Sequence, residues 1–219
     1  MSALVVAGIG TDVGKTVVSA VLCKLLSADY WKPIVSGTKE GKVDDDTLLD
    51  LLGKKAKEDG RIHPCAYRLR EPLSPHIAAQ LDGLTIQSAD LNIPKTLRLL
   101  IIELAGGVLV PINDSETNLD ILTSWRKPVV LVSRHYLGSI NHTLLTVEAL
   151  RNTSIPIIGI IFVGDPLPDS EEIITHLSQV PNVGRVPIVD EVTEGSINQL
   201  ARSGCLNREL LVRGIGQVT

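Results

Sequence analysis

The chain has 219 residues, 44% hydrophobic and 21% charged, which supplies a sizeable core for one domain without a disulfide or metal staple. A net charge of -4 excludes an electrostatic grip on nucleic acid or an anionic membrane, and two Trp, three Tyr and one Phe are too few for a base-stacking platform. The opening residues lack a basic n-region and a long apolar run, and the protein reads as cytoplasmic.

In chain order, an apolar strand over residues 3–7 leads into a helix over 15–27. Strands follow over 30–35, 99–104, 128–133, 157–163 and 183–186, all β-branched or leucine-rich and unalternating, as in strands buried on both faces. Helices over 45–52, 76–81, 118–125, 140–151, 170–178 and 194–202 fall between or after them. This alternation predicts an α/β fold, a doubly wound and mainly parallel sheet flanked by helices on both faces, in a single domain spanning 1–219. Residues 54–70 mix charge, Gly60 and Pro64 and read as a surface excursion. Residues 83–95, with Asn92-Ile93-Pro94, allow only a short helix. Cys23, Cys65 and Cys205 show no CxxC or His-paired spacing and read as inert thiols. Ligands in such sheets bind beyond the carboxyl ends of the strands.

The first of those ends carries Gly8-Ile9-Gly10-Thr11-Asp12-Val13-Gly14-Lys15-Thr16, followed by Val17 inside the helix. Glycines let successive N–H groups turn toward phosphate oxygens, and the helix dipole adds to that field. Lys15 is placed to reach the β- and γ-phosphates and the Thr16 hydroxyl to hold Mg²⁺. Gly8 precedes Gly14 by six positions, so the loop is one residue longer than the strict phosphate-loop pattern. Partitioning-type ATPases with this sheet carry a second lysine five positions before the main one; here that position is Gly10.

Further segments, in order, resemble the dethiobiotin synthetase family: Tyr30-Trp31-Lys32-Pro33-Ile34-Val35-Ser36-Gly37, Asp44-Asp45-Asp46, Glu71-Pro72-Leu73-Ser74-Pro75-His76, Glu103-Leu104-Ala105-Gly106-Gly107 and Leu137-Gly138-Ser139-Ile140-Asn141-His142. With the loop they extend from Gly8 to about Pro187. The resemblance implies a homodimeric ligase that uses Mg²⁺ and ATP to close the ureido ring of dethiobiotin from 7,8-diaminopelargonate and CO₂. It implies catalytic roles for Lys32, Lys15 and Thr11, and a Mg²⁺ site formed by Thr16, Asp46 and Glu103. Nucleotide contacts would come from Asp12, Val13, Gly14, Lys15, Thr16, Val17, Asp46, Glu103 and Gly106, and around the base from Val163, Gly164, Pro187, Ile188 and Val189. Ser36 would bind the carbamate or diamine. Ser139, Ile140 and Asn141, opening a helix at the dimer interface, would receive the substrate's distal carboxylate.

Plainer readings stand beside these. Asp44–Asp46 suits a helix N-cap cluster, Ser36 a turn, Lys32 a solvated strand end, and Ser139 an ordinary cap. Ser74-Pro75-His76 either shapes the diamine pocket or turns the chain into a helix with Pro75 in its first position. His142 reads as packing. Glu103 is harder to explain structurally, because an acid ending a buried strand is costly without partners. The chain departs from the family at Leu104, which disfavours positive φ, and at Val163, where the family's adenine-reading Asn would stand. Backbone groups would then have to read the base, with GTP and CTP competing against ATP. A nucleotide-dependent switch and a related amidoligase are the alternatives.

Overall fold

The computed structural model describes residues 2–40 and 44–217; at 40 and 44–46 it describes the backbone only. The elements are β1 (Ala3–Gly8), α1 (Lys15–Leu25), β2 (Asp29–Trp31), β3 (Ile34–Val35), α2 (Asp44–Leu52), α3 (Lys54–Glu58), β4 (Ile62–His63), β5 (Tyr67–Arg68) and α4 (Pro75–Leu81). They continue with β6 (Leu100–Gly107), α5 (Asn118–Trp125), β7 (Val129–Arg134), α6 (Ser139–Asn152), β8 (Ile157–Val163), α7 (Pro168–Ser178), β9 (Asn182–Val186), α8 (Glu194–Arg202) and α9 (Arg208–Gly216).

Seven strands form a parallel sheet in the order β4-β2-β6-β1-β7-β8-β9. Alternate residues of β1 serve opposite faces. Leu4 and Val6 pack with Val18, Val21 and Leu22 of α1 and Ile197 of α8. Ala3, Val5 and Ala7 join Leu122 of α5, Val147 of α6 and Ile174 of α7. Each fully buried Val, Leu or Ile among them contributes about 1.5–3 kcal/mol. Because β1 lies between β6 and β7 while its own helix leads to β2, the chain reverses direction across the sheet at β1. That reversal opens a crevice at the carboxyl end of β1.

The expected strand over 30–35 is divided. Pro33 has no N–H to extend the ladder, and its carbonyl instead accepts from the amides of Ala66 and Tyr67 at 2.8 and 3.0 Å. The chain thereby leaves β2 and enters a second sheet, in which β3 pairs with β5. Ile34 of β3 and Leu69, just past β5, share a third core with Ala78, Ala79, Ile86 and Leu91. The stretch 54–70 is therefore more than a surface excursion: it holds α3, β4 and β5. Helix α9 was also unexpected; the Asn207 side chain caps it through the Leu210 amide, and Leu211 and Ile215 bury one stripe. Leu104 is buried within β6 and carries no positive φ, so it imposes no backbone strain there. None of the described helices is long and apolar enough to cross a membrane.

Candidate active site

The loop from Gly8 to Gly14 leaves β1 and delivers its last glycine, at φ 94°, directly before the first turn of α1. A left-handed backbone of this kind suits glycine. A Cβ there would also lie 3.0 Å from a Val163 methyl group, so the close approach of β8 needs the missing side chain as well. From β7, Arg134 Nη1 donates to the Asp12 carbonyl at 3.3 Å and ties the loop to the sheet. Lys15 is bent back onto its own loop, its Nζ donating to Gly10 O at 2.8 Å.

Glu103 lies toward the end of β6, 1% exposed. Its Oε1 accepts from Lys32 Nζ and from Thr16 Oγ1, both at 2.9 Å, and its Oε2 accepts from the Tyr30 hydroxyl at 3.1 Å. Burial pushes the carboxyl's pKa up, but the Lys32 charge and hydrogen bond, the Lys15 charge and the Thr16 hydroxyl outweigh it and hold the group below its ordinary value. Glu103 is thus a buried carboxylate, and the strand registers explain its company. Trp31 pairs with Ile102, so Lys32 stands beside Glu103, and Tyr30 shares the Glu103 face.

These groups line one cavity of about 710 Å³. Its lining comes from the loop and start of α1 (Thr11, Asp12, Gly14, Lys15, Thr16, Val17), from Lys32, Ser36, Glu103 and Gly106, and from the segment Pro72–Pro75. The Ser36 hydroxyl is buried without a hydrogen-bond partner among the described residues, as a group reserved for a ligand would be. Gly106 adopts φ +72°, and a Cβ there would lie 2.8 Å from a Val110 methyl group.

Other expected residues stand elsewhere. Val13 is buried behind the loop. Val163, at the end of β8, lies against Gly14, and a Cβ at the next residue, Gly164, would lie 3.8 Å from the Ile188 side chain. Pro187 and Ile188 are exposed and Val189 half-buried. Ser139, Ile140 and Asn141 open α6 outside the cavity. Ser139 is not the cap: Gly138 precedes the helix with no side-chain cap, and the Ser139 amide is taken by Tyr136 O at 2.9 Å. His142 meets the Tyr136 hydroxyl at 2.8 Å. The side chain of Asp46, the other expected metal ligand, lies outside the described residues.

Tyr30 was missed in the sequence, although its i, i+2 spacing from Lys32 on extended chain placed both on one face. Asn118 was missed too. It is fully buried, and its amide donates to Ala105 O at 2.7 Å and Gly107 O at 2.9 Å, fixing the carbonyls on either side of Gly106. Its place as the first residue of α5 gave no sign of that task.

A glycine loop feeding a helix at the sheet's reversal point, with a buried acid facing its threonine, makes the protein a P-loop nucleotide-binding protein. An AAA domain family matches residues 2–196. ATP-dependent dethiobiotin synthetases of Brucella ovis and Rhodopseudomonas palustris are 44% and 45% identical over 192 and 194 residues, covering 88% and 89% of this chain and 89% of each relative. The chain belongs to the dethiobiotin synthetase family. A ParA family ATPase from Chlorobium tepidum has the same fold, with a TM-score of 0.53 at 13% identity, over 98% of this chain and 97% of that one.

Proposed function

We propose that this protein is an ATP-dependent dethiobiotin synthetase, closing the ureido ring on 7,8-diaminopelargonate. The observation that carries this reading is the convergence of Lys15, Thr16, Lys32 and Glu103 on one cavity that also holds the unpartnered Ser36 hydroxyl. One amine of the substrate takes up CO₂ and loses a proton to give a carbamate. The carbamate oxygen attacks the γ-phosphorus of ATP and ADP leaves. The neighbouring amine then attacks the carbonyl carbon of the resulting mixed anhydride, expelling phosphate and closing the ring.

Phosphoryl transfer of this kind needs positioning and charge neutralisation from the protein. The loop amides and Lys15 cradle the phosphates, with Lys15 exchanging Gly10 O for a phosphate oxygen. Lys32 neutralises charge on the carbamate and on the transferring group, and Thr11 lies at the cavity wall beside them. Ser36 hydrogen-bonds the carbamate or the diamine. At the far end of the diamine, the amides of Ile140 and Asn141, with the α6 dipole, receive its carboxylate. A second copy of the chain would bring that helix start to the cavity, so the working form is a homodimer, active in the cytoplasm.

Mg²⁺ fits between Thr16 and Glu103. The hydroxyl and the carboxylate, hydrogen-bonded at 2.9 Å, are hard oxygen donors of the kind Mg²⁺ takes, so the pair would hold the ion. When bound it would neutralise phosphate charge, and Asp46 would be a further ligand. The base rests on backbone groups of Val163, Gly164 and residues 187–189. A nucleotide switch would leave Lys32 and Ser36 without a task.

Incubation with Mg-ATP, bicarbonate and 7,8-diaminopelargonate, read by mass spectrometry, should yield dethiobiotin with ADP and phosphate. Folded protein giving no dethiobiotin overturns the reading.

A further inference from the structure

A second buried polar cluster lies at the carboxyl end of β8 and β9, one layer behind the phosphate loop. Arg185 of β9 sends Nη1 to Gly164 O at 3.4 Å and Asp165 O at 3.1 Å, while its Nη2 bonds to Glu171. Glu171, in the first turn of α7, also accepts from the Leu167 amide at 3.2 Å and meets His135 Nε2 at 2.9 Å. The His135 ring is itself fixed, stacked on Phe162 with centroids 5.3 Å apart. Hydrogen bonds from β9 and α7 therefore meet at residues 164–167, and His135, just past β7, holds Glu171 from behind. Nothing in the ring-closing chemistry uses them.

The direction of the nucleotide gives this cluster its meaning. The cavity with Lys32 and Ser36 lies on one side of the loop, so the γ-phosphate points there. The nucleoside end must leave by the opposite side of Gly14, where Val163 and Gly164 stand. No side chain at 163, 164 or 187–189 can make a directed hydrogen bond to a base, so contact there falls on backbone groups. Backbone groups bind well only when held still.

We propose that Arg185 is a positioning residue for the nucleoside end of the nucleotide, holding the 164–165 carbonyls in place through a brace of Glu171 and His135. The inference rests on the proposed use of ATP and extends it to a residue that does not itself touch the reacting atoms. Guanidinium suits the task because its planar fork spans a carboxylate and two carbonyls together, which an ammonium does not.

Calorimetric titration of the full-length protein with Mg-ADP, and separately with Mg-tripolyphosphate, tests this. R185M is expected to weaken Mg-ADP about tenfold, close to 1.4 kcal/mol, and to leave tripolyphosphate, which has no nucleoside, within twofold of wild type. Its kcat at saturating ATP and its KM for the diamine should stay near wild type while the KM for ATP rises. R185K should recover only part of the loss. E171Q, which keeps the side chain's shape but removes its charge, should weaken Mg-ADP about threefold. If R185M does not fold, R185K and E171Q carry the test. Equal loss of ADP and tripolyphosphate, or Mg-ADP affinity within twofold of wild type in folded variants, overturns the proposal. Wild-type protein that binds no Mg-ADP would instead overturn the nucleotide reading beneath it.

Discussion

Replacing Lys32 with methionine removes one charge from a buried pair and leaves the volume nearly unchanged. The two charges stand 2.9 Å apart, with side chains 8% and 1% exposed. At an effective dielectric constant of about 20, their attraction is roughly 6 kcal/mol. The protein does not lose that much, because Glu103 has another way out. Protonating a carboxyl of ordinary pKa 4.5 at pH 7 costs about 3.4 kcal/mol, at about 1.36 kcal/mol per unit. The smaller cost sets the scale, so K32M should be destabilised by about 3–5 kcal/mol at pH 7, as for other broken buried pairs.

The pH dependence follows with a definite sign. In the wild type the Glu103 pKa is lowered, so its contribution is present above the ordinary value and is lost only as pH falls below that value. In K32M burial dominates and the pKa is raised. Its penalty is then largest at high pH and shrinks by up to about 1.4 kcal/mol per unit as pH falls from 7 toward 5. Urea midpoints of both proteins across that range measure the gap, and a turnover assay should show kcat down about 100- to 1000-fold. Mg-ADP binding should persist. Undiminished turnover, or a stability gap that does not change with pH, refutes the reasoning.

Two further outcomes are expected. G106A forces an L-residue to φ +72° with its Cβ 2.8 Å from Val110, and should lose about 2 kcal/mol of stability; an unchanged urea midpoint would mean that the loop after β6 does not need this conformation. With only backbone groups to read the base, GTP and CTP should compete measurably with ATP in turnover, and strict ATP preference would contradict the role given to Val163.

Strand ends were readable because β1, β6, β7 and β8 begin as continuous apolar runs, and chemistry in this fold gathers where such runs stop. Lys15, Thr16, Lys32 and Glu103 could each be placed at the same edge for that reason. Helices α5 and α8 were readable to the residue because Thr117 and Thr193 close capping boxes with Asp120 and Ser196. What escaped notice had no pattern long enough to see. Strands β4 and β5 are two residues each, so no period can declare itself. In α9, Gly214 and Gly216 mask a helix that the Asn207 cap and the i, i+4 pair Leu211 and Ile215 do announce. The Arg185 brace is assembled from three separate elements, and no single segment hints at it.

The exit of the chain at Pro33 has a consequence for how such an enzyme can change. Lys32 belongs to the large sheet and Ser36 follows a strand of the small one, so the seam between them divides the site by task. Lys15, Thr16 and Glu103, the groups proposed to handle phosphate, adjoin strands of the large sheet, whereas Ile34 belongs to the small one and its core, with Ser36 next along the chain and Pro72–Pro75 past β5. Substitutions in that smaller body can reshape the acceptor's berth while the phosphoryl machinery stays untouched. A changed fit at the acceptor's reacting end is therefore reachable by repacking one module, without moving Lys15, Thr16, Lys32 or Glu103.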